Sequence, residues 1–453
     1  MKVAIVFPRI TRGWWSPPLF AGYLGAVLEE AGHDVSFIDL TFHPERPWEY
    51  LAEKLREQQP DFIGVHSQTI FYDDVVQACR VAREELPSTP LIVGGPHACL
   101  KPDETFGEIK PEYLVVGEGE YVFRDIVDGK IGEGIIKAEP IKDLDAIPFP
   151  ARHLFDKRYD EHYCVTLMGS RGCAYKCSFC YPAVQKIFGH RVRYRSAKNV
   201  VDEIKFIKET YPGKVIRFHD DSQTTSRAWM QEFCELMVKE DVNIKWESKT
   251  RANLVSYDLV KLMKEAGCVR FEFGVESGSD RVRNEILNKS LSLKDILTAF
   301  DVCHRLDMDS LAFFIIASPT ETPSELLETI ELMETITADK YEVTILNPMP
   351  LTVIHDMACA LDLIMPYQES FKKSAIKNPH FTTEELESIQ KALEKGMVGR
   401  SMWTDWGVMK RQFSFKKFYR PLYYFYWIYK LQQAKKMIIK ANRKEIRKKY
   451  MRE

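Results

Sequence analysis

Gly169-Ser170-Arg171-Gly172-Cys173-Ala174-Tyr175-Lys176-Cys177-Ser178-Phe179-Cys180-Tyr181 follows an apolar stretch, Tyr163–Met168, that reads as a β-strand. Three thiols inside one loop form a soft donor set for iron or zinc. A closed all-cysteine site needs a fourth ligand. Cys164 lies back on the strand and Cys234 far downstream, so one metal position is left open for a substrate or cofactor. A structural zinc loop is the alternative. The remaining cysteines are scattered through apolar surroundings, which is metal-site arithmetic and not a disulfide framework, and it fits a reducing cytoplasm.

Downstream of this loop, Val215–Phe218, Ile244–Glu247, Arg270–Val275, Leu311–Ile316 and Glu342–Leu346 read as strands. Helical periodicity near 198–210, 226–239, 256–266, 292–305 and 323–337 separates them, giving six βα units with Tyr163–Met168. Parallel barrels gather their chemistry at strand ends. Those ends carry His219-Asp220-Asp221-Ser222, Glu247-Ser248-Lys249, Glu276-Ser277-Gly278-Ser279 and Pro319-Thr320-Glu321-Thr322. Structural roles compete: Asp220 and Asp221 could cap the next helix, and Glu276 could pair with Arg251 or Arg270. Arg191, Arg193 and Arg195 alternate and could meet a carboxylate or phosphate, or form a solvated face. Tyr175, Tyr181, His190, Tyr194 and Cys268 are candidate acid, base or radical-quenching groups, and none stands out from ordinary packing.

Upstream, an Asp-, Ile- and Pro-rich linker around Ile141–Pro150 closes a first module. Val3–Phe7, Val35–Leu40, Asp61–His66, Leu91–Val93 and, last, Tyr113–Val116 read as strands, with helices at Leu19–Ala31, Trp48–Gln58 and about Asp73–Glu85. Continuous apolar strands with helical crossovers imply a doubly wound parallel sheet. Ligands bind beyond the C-terminal strand ends of such sheets, which selects Phe7–Gly13, Ser67–Thr69, Gly94–His97 and Gly117–Glu120. No GxGxxG opens the module, so a dinucleotide site is unsupported. The expected domains are 1–140, a linker at 141–160, a barrel at 161–350 and a helical region at 351–453.

These motifs resemble those of the radical S-adenosylmethionine (SAM) superfamily. Its CxxxCxxC signature is matched by Cys173, Cys177 and Cys180, which the resemblance makes ligands of a [4Fe–4S] cluster, the fourth iron chelated by SAM. The same resemblance implies a partial (β/α)6 barrel and places Phe179 near adenine. It sets Asp220 and Asp221 near the methionine end, and Glu276 and Ser277, within a GxESG segment, near methionine or ribose. Ser248, Lys249 and Arg251 become polar partners. At the fifth-strand turn Ala317-Ser318 replaces the usual glycine. The first module is similar to the cobalamin-binding domain of the B12-dependent subgroup in Glu30–His33, Asp61–Val65, Gly94-Gly95-Pro96-His97 and Gly117-Glu118-Gly119-Glu120. These last two loops, with Ser67 and Thr69, are the implied cobalamin contacts. Pro8–Gly13 stands where better-known cobalamin domains have DxHxxG, so a lower histidine on cobalt is not expected; His66 and His97 read as loop or core residues. The resemblance covers about residues 1–350.

The resemblance implies an enzyme that generates a 5′-deoxyadenosyl radical from SAM. With methylcobalamin it would methylate an unactivated carbon of an apolar small molecule such as a lipid or tetrapyrrole, or of a peptide. An oxidative cyclase, a mutase or rearrangement enzyme, or a non-enzymatic cobalamin or iron–sulfur protein are the alternatives. An electron donor such as flavodoxin or ferredoxin is expected.

With 63 basic and 65 acidic residues the formal charge is −2, which excludes a polycation built for nucleic acid. The even total hides a basic end: residues 411–453 hold 14 Lys/Arg against two Glu, with ten aromatics between Phe413 and Tyr429. A peripheral membrane contact and closure over the barrel both suit that composition; nucleic acid suits it less. Phe381 with Thr382 and Glu385 reads as a staple and capping box opening a helix at about 383. No run of 18 apolar residues occurs, and the start lacks an export signal, so a cytoplasmic protein is expected.

Overall fold

The computed structural model describes residues 1–10, 16–221, 223–366, 372–394 and 429–440. Thr11–Gly13, Ser222 and most of the basic aromatic tail (411–428 and 441–453) lie outside the described residues. The chain forms two compact units, Met1–Ala174 with Pro182–Ser222, and Tyr175–Tyr181 with Gln223–Glu453.

The first unit opens with β1 (Lys2–Phe7), β2 (Asp34–Asp39), β3 (Phe62–His66), β4 (Leu91–Gly94) and β5 (Tyr113–Val116). A sixth strand, β6 (Gly134–Lys137), pairs parallel with β5. The sequence reading ended this sheet at β5. Gly134-Ile135-Ile136-Lys137 is too short, and too exposed on alternate residues, to announce itself as a buried strand. The order β2-β1-β3-β4-β5-β6 is parallel throughout and reverses between β1 and β3. In such sheets ligands bind beyond the strand ends at the switch point, here beyond Phe7 and His66. Apolar side chains fill both faces: Leu51, Leu55, Ile63, Val75 and Leu114 on one, and Ile5, Ala21, Leu28, Ile92 and Phe123 on the other.

The second sheet has the order β14-β13-β12-β11-β10-β7. Its members are β7 (Cys164–Leu167), β10 (Val215–Phe218), β11 (Trp246–Thr250), β12 (Cys268–Glu276), β13 (Asp309–Ile316) and β14 (Lys340–Ile345). A short hairpin, β8 (Ser170–Arg171) against β9 (Arg193–Tyr194), brackets the cysteine loop. The fold is thus a doubly wound N-terminal domain, a partial parallel barrel and a helical C-terminal region. Several boundaries move: β12, β13 and β14 begin two residues earlier than read, and β11 begins at Trp246, not Ile244, and runs on to Thr250. Ser248 and Lys249 therefore stand within the strand. Trp246, fully buried with its indole N–H donated to Ala266 O at 2.8 Å, fixes that register.

The capping box at Thr382 and Glu385 forms, Thr382 N donating to Glu385 Oε2 at 3.0 Å and Glu385 N to Thr382 Oγ1 at 3.2 Å. Residues 429–440 are helical and bury Leu431, Ala434 and Ile438, while Lys435 pairs with Glu334 at 2.7 Å. Glu334, on the helix Pro323–Ile336, also accepts from Gln432 Nε2 at 3.5 Å.

Gly278 shows how tightly the second unit is packed. A Cβ there would lie 2.3 Å from Glu328 O and 2.5 Å from Thr329 Cα, both backbone atoms that cannot step aside. Gly278→Ala is expected to cost about 1–3 kcal/mol as overpacking, read as a lowered thermal midpoint; an unchanged midpoint would contradict this packing.

Candidate active site

The cysteine loop is anchored at both ends by buried polar groups. At its start Asp220, at the end of β10 and 2% exposed, takes Ser170 Oγ on Oδ1 at 2.5 Å and Gly169 N on Oδ2 at 3.0 Å. Burial pushes its pKa up to about 6. Asp220 caps no helix; Ser226 caps the helix Arg227–Lys239. Asp221 is exposed.

Arg171, next on the loop, is held by two carboxylates: Nη1 donates to Glu118 Oε1 at 2.7 Å and Nη2 to Glu120 Oε1 at 2.6 Å. Glu118 is closed to water. Its second oxygen accepts from Arg193 Nη1 at 2.8 Å and Ile141 N at 2.7 Å. The Gly117–Glu120 segment, read from sequence as a cofactor contact, thus spends both glutamates on the hairpin that flanks the cysteines. Arg195 pairs with buried Glu203 at 2.5 Å. Arg193 and Arg195 do meet carboxylates, but those of their own chain.

Further along the loop, Ser178 donates its N to Leu287 O at 3.0 Å and its Oγ to Ile286 O at 2.5 Å. Asn288 Nδ2 reaches Lys176 O at 2.7 Å. Arg251 lies over the Tyr175 ring at 3.7 Å, and its Nη1 stands 3.8 Å from Cys177 Sγ.

Glu276 closes β12 at φ 70°, past a register shift between Gly274 and Glu276. It pairs with neither Arg251 nor Arg270: Lys289 Nζ donates to its Oε1 at 2.6 Å, and Arg270 pairs with Glu247 at 2.7 Å. Gly274 makes room for this, since a Cβ there would meet Glu276 Oε1 at 2.4 Å and Lys289 Nζ at 2.6 Å. Lys289 was not singled out in the sequence. Its only local signal is its seat between two left-handed residues, Asn288 at φ 48° and Ser290 at φ 51°. Buried Arg283 holds that loop through Ser277 O at 2.9 Å and Leu291 O at 2.7 Å. Ser277 itself bonds Thr329 Oγ1 at 3.1 Å, and Ser248 Oγ donates to Gln223 Oε1 at 2.8 Å. Phe179 joins an apolar group with Ile315, Leu346, Ile354 and Met357, and Lys289 Nζ lies 5.8 Å from its ring.

In the first unit, His97 stacks on Tyr72 at 3.9 Å, and its Nδ1 meets Thr69 Oγ1 at 2.9 Å. His66 stacks on Phe20 at 3.9 Å, and burial lowers its pKa to about 3. Both rings pack within their own module. Gly95, at φ 112°, keeps its Cα face clear where a Cβ would lie 2.7 Å from Ser67 O. Ser67 Oγ and His97 Nε2 are buried without a partner among the described residues.

Among the described residues no three His, Cys, Asp or Glu side chains already stand in metal-ligand geometry. Fit therefore rests on donor chemistry. Cys173, Cys177 and Cys180 supply three soft thiols for an iron–sulfur cluster; the Glu276–Lys289 pair offers both charges that an amino acid's zwitterion needs. Ser67 and His97 offer hydrogen-bonding atoms for a bulky polar cofactor at the edge of the first sheet.

Comparison with known proteins agrees. The Radical SAM superfamily matches residues 167–333, and the B12 binding domain matches residues 10–127. An uncharacterised methyltransferase of Pyrococcus horikoshii is 30% identical over 88% of this chain and 92% of its own length. The anaerobic magnesium-protoporphyrin IX monomethyl ester cyclase of Cereibacter sphaeroides is 29% identical over 78% of the chain, which spans 63% of that longer protein. Among solved structures, the radical SAM methyltransferase TsrM of Kitasatospora setae superposes with a TM-score of 0.67 at 18% identity, covering 80% of this chain and 77% of its own. The cobalamin-dependent radical SAM enzyme OxsB gives 0.67 at 18% identity over 89% of this chain and 66% of its own. The chain belongs to the radical SAM enzymes that carry an N-terminal cobalamin-binding domain. Its cofactors are a [4Fe–4S] cluster, SAM and cobalamin.

Two outcomes test this geometry. Glu118→Gln leaves buried Arg171 and half-buried Arg193 facing a neutral amide, and is expected to cost about 3–5 kcal/mol, measured as a fall in the unfolding midpoint. Glu321, at 1% exposure beyond β13, has its pKa raised by burial to about 8 from an ordinary 4.5. The folded chain therefore holds an extra proton between those values, and stability falls as pH rises through that window. Relative to wild type, Glu321→Gln should gain thermal stability from pH 5 to pH 8; a constant gap would refute the raised pKa.

Proposed function

We propose that the protein is a C-methyltransferase that methylates an unactivated carbon of an apolar small molecule. The observation that carries this reading is the near full-length similarity to the Pyrococcus horikoshii methyltransferase. When bound, the cofactors supply radical formation from SAM and carriage of the methyl group. The chain's own residues position and shield. Lys289 and Glu276 hold the zwitterionic end of SAM, each satisfying the charge that the other would leave bare once the pair opens. Phe179, Ile315, Leu346, Ile354 and Met357 form a dry wall beside that pair, which excludes water from a reactive carbon and favours an apolar substrate. A low-potential electron donor of the flavodoxin or ferredoxin kind is required to start each turnover.

A second reading, oxidative cyclisation of a tetrapyrrole, is favoured by the similarity to the Cereibacter sphaeroides cyclase. Anaerobic, cluster-replete protein with cobalamin, reductant and methyl-deuterated SAM, offered lipid, tetrapyrrole and peptide extracts, separates the two. Methyl transfer predicts a labelled methyl on one apolar product, with S-adenosylhomocysteine and 5′-deoxyadenosine. Substrate-dependent 5′-deoxyadenosine without a labelled product would replace methyl transfer by cyclisation or rearrangement.

A further inference from the structure

The structure sets the guanidinium of Arg251 against one of the three loop cysteines. Its Nη1 lies 3.8 Å from Cys177 Sγ, within reach of an N–H···S hydrogen bond. Three contacts hold it in that position. The guanidinium plane lies over the Tyr175 ring at 3.7 Å, Nη2 donates to Lys289 O, and the same nitrogen stands 3.3 Å from Ser290 O. No carboxylate of the described residues forms an ion pair with it: Glu247 is taken by Arg270 and Glu276 by Lys289. The residue is 7% exposed, so its charge is poorly screened.

We propose that Arg251 tunes the reduction potential of the iron–sulfur cluster by donating a hydrogen bond to the Cys177 thiolate. Reduction adds one electron, taken from the external low-potential donor, and no bond is made or broken. The added negative charge is spread over iron and the ligating sulfurs. A fixed cation with an N–H aimed at one of those sulfurs stabilises the reduced form more than the oxidised form, and so raises the potential. Tyr175 and the Lys289 carbonyl act as positioning groups, because without them a long flexible side chain would turn toward water. The role assigned to Arg251 is toward the cluster, not toward SAM, and it stands whether the reaction is methyl transfer or cyclisation.

The test is a redox titration of anaerobic, cluster-replete protein without SAM, following the electron paramagnetic resonance signal of the reduced cluster. In Arg251→Gln the ratio of reduced to oxidised cluster at a fixed potential should fall about tenfold, which for one electron is a midpoint lower by about 59 mV. Arg251→Lys, keeping the charge but losing the ring stack and planar fork, should fall between the two. Tyr175→Leu leaves the charge in place and should shift the midpoint the same way by less; it also serves if Arg251→Gln fails to load iron. An unchanged midpoint in iron-replete Arg251→Gln, or in iron-replete Tyr175→Leu should the first variant not load, overturns the proposal. So does an unchanged SAM-free midpoint accompanied by weakened SAM binding, which would make Arg251 a SAM contact.

Discussion

Glu118 is shut away from water, yet it takes hydrogen bonds from Arg171, Arg193 and the backbone of Ile141. Removing an ionised carboxylate from water costs several kcal/mol, and only a full set of donors offsets that cost. All the donors come from segments distant in the chain. The β8–β9 hairpin, the linker and the loop after β5 must therefore arrive together or not at all. Glu120 adds a second hold on Arg171. The start of the cysteine loop is in this way built into the first unit, with Asp220 gripping it from the other side. Iron needs ligands that do not wander, and this clamp supplies that constraint.

The second unit achieves rigidity differently. Many of its polar contacts gather on the one segment after β12. Arg283 ties together carbonyls of the segment after β12, and that segment in turn carries Lys289 to Glu276 and offers backbone oxygens to Ser178 and Arg251. One buried guanidinium thereby organises the residues proposed to meet SAM and the cluster. Gly274 and Gly278 matter here through the space they leave, the first for an ion pair and the second for a helix backbone.

Most of the architecture was legible in the sequence because parallel strands buried on both faces write long apolar runs, as in β1, β3 and β13. β6 was not, since an edge strand of four residues with half its side chains in water carries no such run. The start of β11 was misplaced because Ile244 is as apolar as Trp246; only the indole's bond to Ala266 O decides between them. At the site, the spacing of the three cysteines alone reads as a soft donor set. The partners of Glu118, Glu120 and Arg193 were not, because an ion pair leaves no periodic trace when its members are some fifty to seventy-five residues apart. Lys289 went unread for the same reason: a lone lysine after a helix looks like any solvated one until the fold brings it to Glu276.

Lys289 also has two addressees. Its ammonium belongs to Glu276, while its carbonyl belongs to Arg251. The first contact depends on the identity of the side chain; the second survives any residue that tolerates the local backbone. Evolution can therefore edit the two separately. A lineage that exchanged lysine here for another cation, retuning the proposed grip on a zwitterion, would keep the backbone seat of the guanidinium beside Cys177 intact. Substrate-side drift at this position is insulated from the electron-transfer side by nothing more than the difference between a side chain and a peptide group.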